Sequence, residues 1–142
     1  MRLDDMVSGW MTERPTTLTP DRPLSDACTI MFDRDIRHIP VTREGRLVGI
    51  ISDRDLTRRG PIADAMVHQL VDRFFSTKVS DVMTQDDVRT VGPMTTLAEA
   101  ARVLIATKRS ALPVLDGDSL VGIITTHDLL RALVDTTSSV PL

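Results

Sequence analysis

Hydrophobic positions along this chain form one pattern that is written twice. Leu24, Ala27, Cys28 and Met31 stand at i, i+3, i+4 and i+7 and predict an amphipathic helix opened by Pro23. Leu97, Ala100, Ala101 and Leu104 repeat the stripe, with Asp26 and Glu99 in the respective first turns, where the helix dipole favours negative charge. Each helix leads into a short apolar strand, 37–41 and 110–115, carrying Pro40 or Pro113; a residue without an N–H suits a strand edge or start. Turn chemistry follows at Glu44-Gly45 and Asp116-Gly117, after which Leu47 to Ile51 and Leu120 to Ile124 read as strands covered on both faces. A second helix begins at Asp53 in one case and Thr126 in the other. Its apolar content is Leu56 in the first and Leu129, Leu130, Leu133 and Val134 in the second.

The repetition is literal as well as periodic. Val48-Gly49-Ile50-Ile51-Ser52-Asp53-Arg54-Asp55-Leu56 returns as Val121-Gly122-Ile123-Ile124-Thr125-Thr126-His127-Asp128-Leu129, an offset of 122 − 49 = 73. Val7-Ser8 and Met11-Thr12 return as Val79-Ser80 and Met83-Thr84 at an offset of 72, so the second copy gains one residue before Pro93. The reading is an α/β (α+β) protein of two pseudo-twofold-related βαββα repeats, at 3–60 and 79–135, whose small sheets face each other over a common core. Residues 61–78, with Ile62, Met66, Leu70 and Phe74 at intervals of four, read as a helical linker, and 136–142 as a flexible tail.

Composition narrows the function classes. At 142 residues and 42% hydrophobic content the chain fits one compact unit, each half alone being marginal. A net charge of −3, with no basic cluster denser than Arg58-Arg59, argues against nucleic acid as a partner. The single cysteine excludes an internal disulfide, and Asp4 and Asp5 stand where a signal peptide would place its apolar core. No apolar run approaches the ~18 residues of a membrane span, so the expectation is a cytoplasmic protein.

The candidate chemistry lies where each buried strand runs into its helix, at Ser52-Asp53-Arg54-Asp55 and Thr125-Thr126-His127-Asp128. A helix start offers N–H groups and a dipole to an anion, Ser52 or Thr125 adds a hydroxyl, and Asp55 or Asp128 could accept from both hydroxyls of a vicinal diol. Phosphate donors beside a diol acceptor suit a ribonucleotide. The plain alternative is that Ser/Thr-x-x-Asp is only a capping box, which a duplicated unit would duplicate too. The preceding Gly-Ile-Ile strand, Asp in place of the usual Glu or Gln, and the neighbouring proline strand favour the first reading.

Taken together, Val7-Ser8 through Met11-Thr12, the Pro40-Val41 strand, Gly49-Ile50-Ile51-Ser52-x-x-Asp55 and their second-copy partners resemble a tandem pair of cystathionine β-synthase (CBS) domains, a Bateman module, over residues 3 to 135. The resemblance implies binding of an adenosyl ligand, AMP, ADP, ATP or S-adenosylmethionine, in one or both clefts between the repeats. It assigns ribose contacts to Asp55 and Asp128 and phosphate contacts to Ser52 and Thr125. The base would meet the backbone of Arg37-His38-Ile39 and Ser110-Ala111-Leu112, with Thr17-Leu18 and Thr90-Val91 as the other wall. Arg54 and Arg37 beside the first site, against His127 and Ser110 beside the second, predict more phosphate charge at Asp55.

The implied function is a stand-alone regulatory module that senses adenine nucleotide, requires no cofactor, and signals occupancy to a partner protein. A homodimer is expected, with Leu129, Leu130 and Leu133 as its contact surface. The alternative is a non-catalytic dimerisation module with empty clefts. No enzyme is expected, since no Walker A, G-x-S-x-G, H-E-x-x-H or dinucleotide fingerprint occurs. No metal site is expected either: His38, His68 and His127 lack ligand spacing. Cys28, Met31, Met66 and Met94 read as packing, as does Trp10, which stands where the second copy has Val82.

Overall fold

The computed structural model describes residues 5–59, 72 and 75–138, and the linker segment around Ile62, Met66, His68, Leu70 and Phe74 lies outside them. A one-turn 3-10 helix at Val7–Gly9 precedes β1 (Thr12–Glu13), α1 (Leu24–Arg34), β2 (His38–Arg43), β3 (Arg46–Ser52) and α2 (Asp53–Arg59). There follow α3 (Val79–Val82), α4 (Leu97–Thr107), β4 (Ala111–Asp116), β5 (Ser119–Thr125) and α5 (Thr126–Ser138). The last helix runs three residues into the segment expected as tail. Both amphipathic helices bury the predicted stripe, Leu24, Ala27 and Met31 in α1 and Leu97, Ala100 and Leu104 in α4. Each ends on a residue in the left-handed region, Asp35 and Lys108, which sit 73 apart. Of these two helices only α4 has a side-chain cap, the reciprocal pair of Thr96 and Glu99.

The chain divides into two compact units that are cut differently from the sequence repeats. One contains residues 1–15 and 89–142, the other residues 16–88. The segment that enters the first repeat therefore completes the sheet of the second, and the reverse. In the 16–88 unit, β2 and β3 form an antiparallel hairpin, and Thr84 adds an antiparallel bridge to Ile50. In the other, β1 pairs with β5 and β5 with β4, so Thr12 lies opposite Ile123. Most of the buried side chains among the described residues fall into two clusters, one in each unit. The exchange explains this, because Val79, Val82 and Met83 fill the cluster under β2 and β3, and Val7 with Trp10 and Met11 serves the cluster under β4 and β5.

Both prolines sit on the outer side of their strands. The carbonyl of Pro40 accepts the Leu18 N–H at 3.2 Å, so this residue faces away from β3 and its missing N–H leaves the hairpin ladder intact. The turn between β2 and β3 has φ of +52° at Glu44 and +79° at Gly45, the pair of values a type I′ turn needs. In the second hairpin the loop is Gly117-Asp118, one residue later than expected, because Asp116 pairs with Ser119 and only Gly117 has positive φ. The strands after the turns are fully buried only in their second halves: Ile50, Ile51, Ile123 and Ile124 are inside, while Leu47, Val48, Leu120 and Val121 are half-buried. Met94 is 74% exposed rather than packed, held outside by the turn ahead of α4.

Gly49 and Gly122 are where the entering segments cross. A Cβ on Gly49 would lie 2.8 Å from the Thr84 carbonyl oxygen and 2.8 Å from the Met83 sulfur; one on Gly122 would lie 3.0 Å from the Thr12 oxygen. The Ile50 N–H to Thr84 oxygen bond at 2.9 Å and its return bond at 2.8 Å hold that backbone in place, so it cannot withdraw. Gly49→Ala should cost about 1 to 3 kcal/mol in urea unfolding, as overpacking against fixed atoms does. Gly9→Ala, where a Cβ meets nothing within 4 Å, should stay within about 0.5 kcal/mol.

Candidate functional site

Each set of candidate residues falls inside one unit. Thr17, Arg37, His38, Ile39, Ser52, Arg54 and Asp55 belong to the 16–88 unit, and Thr90, Ser110, Ala111, Leu112, Thr125, His127 and Asp128 to the other. Strand register brings most of each set together. His38 lies opposite Ser52, and the Arg37 carbonyl accepts the Asp53 N–H at 3.0 Å, tying the start of β2 to the start of α2. Ala111 lies opposite Thr125, and the Ser110 carbonyl accepts the Thr126 N–H at 2.9 Å. The side chains of Ile39 and Leu112 point into the cores and are 0% exposed, so only their backbone could face a ligand. Thr17 and Thr90 are exposed; the neighbouring Leu18 and Val91 form parallel bridges to Val41 and Val114, near the proline end of the strand rather than beside the carboxylates.

The expectation that the helix starts would present unclaimed N–H groups to an anion is corrected for α2. The Asp53 N–H goes to Arg37, the Arg54 N–H to the Asp53 carboxylate at 2.9 Å, and the Asp55 N–H to Ser52 Oγ at 3.1 Å. In α5 the Thr126 and Asp128 N–H groups are likewise taken. The backbone satisfied its own donors locally, as the first turn of a well-capped helix does. The polar groups that remain beside Asp55 are the Ser52 hydroxyl and the exposed Arg37 and Arg54 guanidinium groups.

The capping box is present in both copies, and the two carboxylates differ in what else they hold. Asp55 Oδ2 accepts the Ser52 N–H at 2.9 Å and Oδ1 accepts the Thr84 hydroxyl at 3.3 Å. Asp128 Oδ2 accepts both the Thr125 N–H at 2.9 Å and the Thr125 hydroxyl at 3.0 Å, while Oδ1 accepts the Arg131 guanidinium at 2.9 Å. Asp55 is half-buried, whereas Asp128 is 5% exposed. Arg131 also reaches the Trp10 carbonyl at 3.3 Å and lies 5.8 Å over the Trp10 ring centre, a cation–π distance. Sequence reasoning passed over Arg131. Its position three residues after Asp128, on one helix face, together with the sole tryptophan was the available signal.

The remaining candidates are simply placed. Trp10 packs against the core of its unit. Leu129 also packs there, because it lies beside the buried Asp128 and Ala132, so the exposed apolar face of α5 is Leu130, Leu133 and Val134 without it. Trp10, His127, Leu130, Arg131, Val134 and Asp135 line an open recess of about 490 Å³ on that face. Cys28 is half-buried against the first core, and burial pushes its thiol pKa up, away from reactivity. Arg58 is exposed at its helix end. No helix among the described residues is long and apolar enough to cross a membrane.

Burial lowers the pKa of His38, with Asp53 and Asp55 opposing and Arg37 and Arg54 reinforcing that direction. The class of protein follows from this architecture: two copies of one strand–helix–hairpin–helix unit, each presenting a carboxylate at its strand-to-helix junction. The profile for the CBS domain matches residues 7–61 and 79–135, and the chain belongs to that family as a tandem pair. It is 31% identical to a CBS domain-containing protein of Dictyostelium discoideum, covering 96% of each. It is 29% identical to the uncharacterized protein MJ0188 of Methanocaldococcus jannaschii and 35% identical to inosine-5'-monophosphate dehydrogenase of Bacillus subtilis, spanning 45% and 22% of their lengths. The solved CBS-pair protein CBSX2 of Arabidopsis thaliana superposes with a TM-score of 0.80 at 29% identity, over 96% of this chain and 99% of that one. CBSX2 in complex with AMP gives a TM-score of 0.77 at 29% identity, over 94% and 98%.

The two carboxylates differ in stability terms. Asp128→Ala removes the acceptor of three donors and should cost about 2 to 3 kcal/mol in urea unfolding, against about 1 to 2 kcal/mol for Asp55→Ala. The exposed half of the Asp128–Arg131 pair adds little to that figure. His38 gives a pH signature. Its folded pKa lies below the unfolded value of 6.5, so its contribution is fully present above 6.5 and is lost as pH falls through that value toward the folded pKa. His38→Gln should flatten the fall in stability between pH 7.5 and 5.5 that the wild type shows.

Proposed function

We propose that this chain is a non-catalytic regulatory module that binds an adenosyl ligand, AMP, ADP, ATP or S-adenosylmethionine, at the strand–helix junction of its repeats and passes occupancy to a partner protein. The observation that carries the reading is the acceptor capacity of Asp55. An ionised carboxylate offers about four lone-pair positions, and two donors from the protein leave room for the two hydroxyls of a ribose. Hydrogen bonds to a charged acceptor contribute about 1.5 to 3 kcal/mol each, enough to decide an affinity. Ser52 Oγ accepts from the Asp55 N–H and keeps its own proton for a phosphate oxygen, with Arg37 and Arg54 supplying charge. The backbone polar groups of His38 face away from β3, on the side of the strand to which Pro40 directs its carbonyl. The AMP complex of CBSX2, a relative over nearly its whole length, supports an adenosyl ligand. In this reading the protein works in the cytoplasm and responds to cellular energy state.

A second reading has an observation of its own. Phe32 and Ile105 are 87% and 77% exposed at positions 73 apart in α1 and α4, and Leu130, Leu133 and Val134 are exposed on α5. Apolar surface of that kind suits a homodimer, which accompanies the first reading or, with no ligand bound, replaces it.

Thermal unfolding with AMP, ADP, ATP, S-adenosylmethionine and NAD tests the choice. Ligand at 100 times its Kd adds about 2.7 kcal/mol, a rise of several degrees in Tm for a chain of this size. We expect an adenosyl ligand to give that rise in wild type and in Asp128→Ala, measured against each protein's own baseline, and to give none in Asp55→Ala. No rise with any adenosyl ligand would leave the dimerisation module as the function.

A further inference from the structure

We propose that Arg131 makes the two repeats unequal by latching the carboxylate of the second one. This rests on the reading that a carboxylate at this place accepts a ribose diol. Asp55 and Asp128 occupy equivalent places, yet their accounts differ by one donor. Among the described residues, two donors reach Asp55 and three reach Asp128. With about four lone-pair positions on a carboxylate, Asp128 retains one, and a vicinal diol needs two. The additional donor is the Thr125 hydroxyl on Oδ2, and on Oδ1, where Asp55 meets the Thr84 hydroxyl, Asp128 meets the Arg131 guanidinium at 2.9 Å, a charged group that a neutral sugar hydroxyl displaces only at a loss.

The latch comes from a difference between the copies outside the Ser/Thr-x-x-Asp motif. Arg58 is the first-repeat equivalent of Arg131, and it forms no ion pair with Asp55. Oδ1 of Asp55 is instead met by the Thr84 hydroxyl, a longer and uncharged contact at 3.3 Å. What holds Arg131 in place is Trp10, through its carbonyl and its ring, and the equivalent residue in the first repeat is Val82, which offers no aromatic face. Thr125 contributes to the closure. Its hydroxyl donates inward to Asp128 Oδ2, whereas Ser52 makes no such bond, so the second repeat also lacks the hydroxyl proton expected for a phosphate. The Arg131 side chain is 51% exposed and borders the open recess on α5, so it has space to leave Asp128 without disturbing the core.

Arg131→Met keeps an aliphatic stem over Trp10, removes the charge and frees one acceptor position on Asp128. Calorimetric titration of the full chain with AMP should show one site per wild-type chain, lost in Asp55→Ala. Arg131→Met should show a second site at least tenfold tighter than any second binding in wild type, and Arg131→Met combined with Asp128→Ala should lose it again. Wild-type binding through Asp55 with no gain in Arg131→Met overturns the latch and leaves the functional reading standing. A gain in Arg131→Met that the double variant keeps also overturns it, since the new site would not use Asp128. A wild type that binds no AMP, with a gain in Arg131→Met that the double variant loses, overturns the Asp55 site and supports the latch. No binding in any variant overturns both.

Discussion

The contact on which both units depend is a backbone crossing a strand at a glycine. Thr84 exchanges two hydrogen bonds with Ile50 directly beside Gly49, and Thr12 pairs with Ile123 beside Gly122. A β-carbon at either glycine would meet a carbonyl oxygen of the crossing chain at 3.0 Å or less. The crossing segment gives the sheet its last partner and also brings Val79, Val82 and Met83, or Val7 and Met11, onto the core. The same strand leaves the crossing and runs two or three residues further into Ser52 or Thr125. The glycine that admits the segment therefore also sets the height at which the strand delivers its hydroxyl and the helix its carboxylate. Thr84, one residue after the Met83 that covers Gly49, then touches Asp55 itself. Core closure and site geometry share one backbone.

The carboxylates show how a capping motif can be both structural and available. Reciprocal bonds between Ser52 and Asp55, or Thr125 and Asp128, satisfy the helix start, so capping and ligand binding are not rival explanations of the motif. What separates them is capacity. A cap uses one or two of about four acceptor positions, and any further function depends on which other donors arrive. At Asp55 the extra donor is a neutral hydroxyl from the crossing segment; at Asp128 it is a guanidinium from the next turn of the same helix. The two copies of the motif thus differ in chemistry through residues that stand outside them and through the Thr125 hydroxyl.

Much of this fold was legible in the sequence because its signals are local. The stripes in α1 and α4, the Glu44-Gly45 turn and the strand–helix junctions each follow from residues within one turn or one hairpin. The exchange of entering segments was not legible. Val7, Met11 and Thr12 match Val79, Met83 and Thr84 so closely that docking on the parent repeat or on the other would bury the same side chains, and no local preference distinguishes them. Leu129 was misplaced for a related reason, since an apolar residue on a helix that mixes buried and exposed leucines shows its face only once Asp128 and Ala132 are seen to point inward.

Arg131 escaped notice because the copies agree there: both carry arginine at that position, and agreement between repeats reads as equivalence. The difference lay in Trp10 against Val82, more than a hundred residues away in sequence, and it became chemistry only when the exchanged segment carried Trp10 onto the face of α5. A duplicated protein can therefore diverge without altering its motif, by changing the residue that anchors a neighbour of the motif. The arginine common to both copies supplies the charge, and the tryptophan decides whether that charge is held on the carboxylate or left to solvent.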